Sequence, residues 1–239
     1  MKLFFSLLFI LATLPVVATP TPLTPPNWEK VPGAAAQIAA GGNRLAMIDP
    51  KNNLFQWNYD QNRWMSMGGT ARSVAIDHNG HIWIVKLDGK IERFANGKWA
   101  TIDGAAGAVY AGGTKVFVSG KDNAMLYEWS FSANRWVKAG RVVQDVAIDA
   151  QNGIWTLENN RDFYRYASGK WSKMPGYGKG LSAGGNEVLA IGDNRSLYRW
   201  NGSGWVHAPR PVKDVAVDHR GHIWAVDAND GSIHRTSSL

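Results

Sequence analysis

Two short stretches hold the residues most suggestive of chemistry. Asp77-His78-Asn79-Gly80-His81 sets two imidazoles beside a carboxylate, and Asp218-His219-Arg220-Gly221-His222 repeats the arrangement. Imidazole with carboxylate is a transition-metal donor set. A third copy of the stretch, however, has Ala150 and Gly153 in the histidine places, and neither pair comes with a third protein ligand. Asp, Asn and Gly in this order read instead as a turn closed by the aspartate side chain, without the alternating oxygen donors of a calcium loop. No metal and no cofactor is expected. Thiol chemistry is excluded because the chain has no cysteine. No Gly-x-Ser-x-Gly elbow, phosphate-binding glycine loop or paired-glutamate pattern is present either.

A second set of polar residues is better suited to recognising a ligand. Asn53, Asp88, Asn123, Asn160 and Asn194 stand in polar loops, and Arg72, Arg141, Arg210 and Lys213 stand in the connections that enter the following apolar strands. Amides and carboxylates beside arginine suit sugar hydroxyls or anionic substituents. Trp57, Trp129 and Trp200 close apolar strands, and an indole left partly open stacks on the apolar face of a sugar. The competing roles are turn formation for the Asn and Asp residues and inter-sheet packing for the tryptophans.

What must position these residues is a repeat. VAIDHNGHIWIV at Val74–Val85 returns as VAIDAQNGIWTL at Val146–Leu157 and VAVDHRGHIWAV at Val215–Val226. Each copy is two apolar runs around a polar turn, the pattern of a β-hairpin. A finer rhythm runs beneath it. Trp28, Trp64, Trp99, Trp136, Trp171 and Trp205 begin six units of about thirty-five residues. Every unit carries four short strand patterns and none holds a helical period. Six four-stranded units describe an all-β, six-bladed β-propeller over residues 28–239.

The chain ends just after a third strand, and Trp28–Val31 is a fourth strand with no blade before it. The N-terminal strand is therefore expected to complete the last blade and remove an open sheet edge. Odd units replace the Asp turn with Gly-Gly and carry Trp on the third strand, whereas even units carry Trp83, Trp155 and Trp224 on the second. Three pseudo-repeated two-blade modules follow, with a large ring on one blade expected against smaller side chains on its neighbour.

Composition bounds the partners. Residues 1–18 have one cation and an apolar run ending in small residues, as in a secretory signal peptide, and residues 19–27 form a Pro- and Thr-rich leader. A secreted protein without a stable membrane anchor is expected. Formal net charge is +7, which favours anionic partners. The basic residues are dispersed and form no dense run, so nucleic acid is not expected as a partner.

Trp followed by Pro-Gly (Trp28–Gly33, Trp171–Gly176), an inner strand ending in Ala-Gly and a Tyr-Arg-Trp strand resemble the tectonin repeat. The resemblance spans Trp28–Leu239, with Pro-Gly replaced by Gly68-Gly69 and Asp103-Gly104 and missing around Gly140. It implies a six-bladed propeller lectin of the kind found in slime moulds, fungi, fish eggs and horseshoe crabs, which binds glycans, including modified or microbial-surface ones, at repeated shallow sites between blades. The Asp-turn-Trp hairpins also resemble those of lactonase-type and streptogramin-lyase-type propellers. A hydrolase or lyase, and a protein-docking scaffold, are the alternative functions.

Overall fold

The first strand, β1 (Glu29–Ala34), does not pair with the strand that follows it. In the computed structural model, which describes residues 26–239, β1 runs antiparallel to the last strand, β20 (Ser232–Thr236), with Glu29 opposite Arg235 and Val31 opposite Ile233. The expected signal peptide and most of the leader lie outside the described residues. Between the two ends stand six antiparallel four-stranded blades.

The first blade is β2 (Gln37–Gly41), β3 (Arg44–Ile48), β4 (Asn53–Asn58) and β5 (Arg63–Thr70). The second is β6 (Ser73–Ile76), β7 (Ile82–Val85), β8 (Lys90–Ala95) and the start of β9 (Lys98–Gly112). The third takes the rest of β9, β10 (Lys115–Gly120), β11 (Met125–Ser130) and the start of β12 (Arg135–Ile148). The fourth takes the rest of β12, β13 (Ile154–Glu158), β14 (Asp162–Ala167) and the start of β15 (Lys170–Gly184). The fifth takes the rest of β15, β16 (Glu187–Gly192), β17 (Ser196–Trp200) and the start of β18 (Trp205–Val217). The rest of β18, β19 (Ile223–Asp227), β20 and β1 make the sixth. The inner strands touch in a closed cycle, β2 to β6 to β9 to β12 to β15 to β18 and back to β2.

Four outer strands continue without a break into the next blade's inner strand, each bending at an irregularity in register. A bulge at this point lets one strand serve two sheets. Each crossing is pinned by a backbone hydrogen bond to a left-handed residue in the loop between the second and third strands. Ala35 N donates to Gly231 O, Ala71 N to Asn52 O, Ala106 N to Gly89 O, Val143 N to Ala124 O, Gly178 N to Arg161 O and Val212 N to Arg195 O. These six bonds place the polar loops and the crossings on one face of the disc.

The tryptophan alternation resolves differently from the expectation. Rings of neighbouring blades do not meet small side chains; they meet one another, edge to face. Trp224 packs with Trp57 and Trp64, Trp83 with Trp129 and Trp136, and Trp155 with Trp200 and Trp205, at centroid separations of 4.9 to 6.2 Å. Edge-to-face contact is the arrangement the ring quadrupoles favour. The triads occupy alternate interfaces (sixth–first, second–third and fourth–fifth), and aliphatic side chains such as Ala46, Ile48, Val74 and Ile84 fill one of those between. The modules are thus pairs of blades locked by indoles.

The fifth residue after each unit's tryptophan follows the same alternation. At the triad interfaces it is Gly33, Gly104 or Gly176, at φ of 110°, 115° and 82°. Added Cβ atoms there would stand 3.2–3.3 Å from the Cδ1 of Trp64, Trp136 or Trp205. The carbonyl just before each glycine accepts that ring's Nε1–H, from Pro32 at 3.1 Å, Asp103 at 2.9 Å and Pro175 at 2.8 Å. At two of the other interfaces an arginine takes the place. Arg141 lies over Trp171 at 4.1 Å and Arg210 over Trp28 at 4.6 Å.

Candidate functional site

The repeated aspartate turn comes first because its chemistry is most conspicuous. Asp77, Asp149 and Asp218 are buried. In each, one carboxylate oxygen accepts two backbone N–H groups of its own turn and the other accepts the Nε1–H of Trp83, Trp155 or Trp224 at 2.8–3.0 Å. Arg165 adds a two-nitrogen contact to Asp149, and His81 Nδ1 lies 3.1 Å from Asp77. The carboxylates are consumed in tying the turn to the indole triad.

The proposed loop residues divide into several groups. Asn53 bonds back to Asp49, Asp88 accepts the backbone and ammonium of Lys90, and Asn123 accepts Met125 N. These three hold their own turns. Arg72 stands apart from Arg141 and Arg210: it aligns with Gln144 and Lys213 and lines the central channel with them. Arg210 is wedged over Trp28, with its guanidinium 3.7 Å from Asp227. Burial lowers the pKa of both wedged arginines. Trp57 and Trp129 are 2% and 5% exposed. As platforms for stacking a sugar they are corrected by the fold, because both rings are buried in the triads; Trp200 is partly buried in the third.

Two proposed residues meet in one cleft. Between the third and fourth blades, Arg141 pairs with Glu158 and shares a shallow depression with Asn159 and Asn160. Asn160 is itself bonded to Asp162 through both its amide oxygen and its nitrogen.

Asn194 lies in the neighbouring cleft, between the fourth and fifth blades. It measures about 340 Å³ and is lined by Tyr177, Tyr198, Asp193, Phe163 and Trp205. Asn194 Oδ1 accepts Ser196 N at 3.0 Å, while its Nδ2 donates to the Tyr198 hydroxyl at 3.2 Å. Tyr177 is 65% exposed on the rim. Asp193 accepts Arg161 Nη1 at 2.8 Å through one oxygen, while its other oxygen is buried without a partner among the described residues. An open phenol ring, a fixed amide, a second hydroxyl and a carboxylate with a spare acceptor form a surface for a polyhydroxylated ring. Tyr177 was not singled out from the sequence, yet one signal marks it. The same place in the other units holds Ala34, Thr70, Ala105, Val142 and Pro211.

The channel carries a different constellation. Asp145 and Asp214 project from inner strands into a cavity of about 410 Å³ that also exposes Gln37, Arg72, Tyr110 and Lys213. Each is only partly exposed to the channel. Desolvation therefore raises both carboxyls to about 7, against the lowering effect of their hydrogen bonds. Asp145 accepts Val146 N at 2.8 Å and Leu181 N of the next blade at 2.7 Å. Asp214 accepts Val215 N at 2.9 Å and Ile38 N at 2.7 Å. In the third module Ser73 replaces the carboxylate, and its hydroxyl accepts Val109 N at 3.1 Å.

Comparison with known proteins places these features. The family model of the Tectonin domain matches residues 34–139 and 143–238. No curated protein matches the chain in sequence. Among solved structures, a gluconolactonase of Xanthomonas campestris superposes with a TM-score of 0.65 at 9% identity, covering 86% of each chain. The WD40 repeats of RRP9 give 0.61 at 10% identity, over 84% of this chain and 79% of that one. PorZ, a bacterial surface component of the type-IX secretion system of Porphyromonas gingivalis, gives 0.55 at 10% identity over 86% of this chain and 33% of its own. At such identities the similarity is one of fold.

Proposed function

The chain belongs to the tectonin-domain family, and from that premise we propose that it is a lectin-type propeller that acts outside the cell and binds glycans on the face carrying the polar loops. The observation that carries this reading is the cleft between the fourth and fifth blades, where Tyr177 offers an open ring beside Asn194, Tyr198 and Asp193. A pyranose stacked on Tyr177 would meet a carboxylate acceptor and hydroxyl groups at its edge. The adjoining Arg141–Asn160 cleft gives the same face a second, more charged contact. Two unequal neighbouring sites on a rigid ring gain avidity on a dense glycan surface.

A glycan array probed with the leaderless chain tests this. Retention on a defined set of glycans is expected, with loss of the signal in Tyr177→Ala and its survival in Tyr177→Phe, which keeps the ring. An array without any retained glycan at high micromolar protein would overturn the reading.

One observation favours a second reading. The channel holds an asymmetric group of ionisable residues, Arg72, Asp145, Lys213 and Asp214, and an enzyme of propeller fold would place its acid and base there. Against it, every oxygen of the two carboxylates already accepts a backbone N–H, and Ser73 performs the corresponding inter-blade bond without a charge. Hydrolysis of lactones by the wild-type chain, abolished in Asp145→Asn, would establish the enzyme reading over the lectin one.

A further inference from the structure

The opposite face of the disc carries a cleft of about 390 Å³ at the seam where the sixth blade meets the first. Its walls come from the two blades that meet there: Trp57, Tyr59 and Asn62 from the first, and Glu29, Arg220, His222 and Arg235 from the sixth. Three observations distinguish it. Trp57 is 2% exposed, and its Nε1–H has no hydrogen-bond partner among the described residues. A buried donor left unmade costs about 1–3 kcal/mol, so an acceptor from outside the chain is what this wall lacks. The outer-strand and hairpin rings of the same triad have theirs, Trp64 on Pro32 O and Trp224 on Asp218.

Arg220 makes no ion pair among the described residues and lies over Tyr59, its Cζ 4.4 Å from the ring centre. The ring is steadied in turn by its hydroxyl on Asp218 Oδ2 at 3.2 Å. The acidic groups nearby are already engaged. Glu29 receives Arg235 through two nitrogens at 2.8 and 3.1 Å, and Asp218 holds its turn, Trp224 and Tyr59. Arg220 is thus the cation left over, beside an unmatched donor. The two equivalent interfaces lack this combination, with Asn79 and Gln151 in the place of Arg220 and Phe131 and Gly202 in that of Tyr59.

We propose that this seam cleft is a second ligand site, which takes an oxyanion-bearing sugar, its anionic group between the Trp57 indole N–H and the Arg220 guanidinium. A donor-only indole and a planar guanidinium together demand an acceptor that is charged and carries several oxygens, a demand that carboxylate, sulfate and phosphate esters all meet. The cleft volume accommodates a monosaccharide, and the amide of Asn62 and the hydroxyls of Thr236 and Ser237 line the remainder. The inference rests on the lectin reading for the sugar and on the cleft alone for the anion. It makes the protein two-faced, with an aromatic site for neutral ring faces on one side and an acid-selective site on the other.

The test is titration of the leaderless ¹⁵N-labelled chain with methyl glucuronide, glucose 6-sulfate and glucose 6-phosphate, with methyl glucoside as the uncharged match. The Trp57 indole signal, assigned by its loss in Trp57→Phe, is expected to shift with at least one acidic sugar and not with methyl glucoside. Which of the three binds tightest identifies the source of the oxyanion. Arg220→Ala, at an exposed position, should weaken that binding at least tenfold while leaving array binding through Tyr177 unchanged. No shift of the Trp57 signal with any acidic sugar, or an equal shift with methyl glucoside, would overturn the proposal while array retention still supports the lectin reading. If the acidic sugars shift Trp57 while the array is blank, the lectin reading of the loop face fails and the seam site stands alone.

Discussion

Asp149 shows how much one buried carboxylate can hold. It accepts Gln151 N, Gly153 N, Trp155 Nε1 and two nitrogens of Arg165. Replacing it by alanine leaves the buried Gly153 N–H and Trp155 Nε1–H unmatched and a guanidinium without its counter-ion. The expected loss is about 3–5 kcal/mol, the range for breaking a buried charged network, seen as a fall in Tm on the order of 10 °C. Asp149→Asn should recover part of this, since one oxygen survives. At Tyr177 the expectation concerns affinity. An aromatic stacking contact is worth about 0.5–1.5 kcal/mol beyond its area, so Tyr177→Ala should weaken glycan binding roughly tenfold by calorimetry, with unchanged Tm. The aspartate was legible from its repetition. The tyrosine was not, because repetition hides the residue that breaks it.

Between inner strands the joints are polar, and two of them titrate. Asp145 and Asp214 have carboxyls raised to about 7, chiefly by desolvation. The unfolded chain releases these protons near the ordinary aspartate value, while the folded chain keeps them to about 7. The folded state therefore binds more protons over that interval, and stability falls as pH rises through it. Tm should climb as pH is lowered from 8 to 5. The double variant Asp145→Ser, Asp214→Ser copies the Ser73 joint of the other module and should flatten that slope. A slope unchanged in the double variant would assign the pH dependence elsewhere. The glycine under the outer tryptophan of each triad is another joint of this scale. The Pro-Gly and Asp-Gly pairs were visible as motifs, but their purpose, a carbonyl for the next blade's indole and room for its edge, needed both blades in view.

The ring as a whole depends on its seam. β1 supplies the fourth strand of the sixth blade through its pairing with β20, and Glu29 ties Arg235 across it. A chain beginning at Ala35 would expose the edge of β20 and uncover Trp64, whose Nε1–H bonds to Pro32 O. Such a chain should lose cooperative unfolding or associate through the open edge, read by size-exclusion chromatography and calorimetry. A truncated chain that stays monomeric with wild-type Tm would show that closure is dispensable. The seam also forms the cleft of Trp57 and Arg220, so closure and acidic-sugar binding are expected to fail together in that truncation.

Strands per blade, blade number, closure by the N-terminal strand and the two-blade period were all readable from the chain, because each rests on local alternation and on repetition, which survive without coordinates; that four outer strands run unbroken into the next blade was not. The asparagine and arginine candidates were only partly readable. Short polar side chains in loops serve turns and ligands equally well, and only the fold separates Arg72 in the channel from Arg141 and Arg210 wedged on tryptophans. Which side of each indole is covered, where Tyr177 opens and why Trp57 lacks an acceptor are decided by contacts between residues from different blades. In the indole triads those contacts join positions 45 or more residues apart, and no local pattern in the sequence records them.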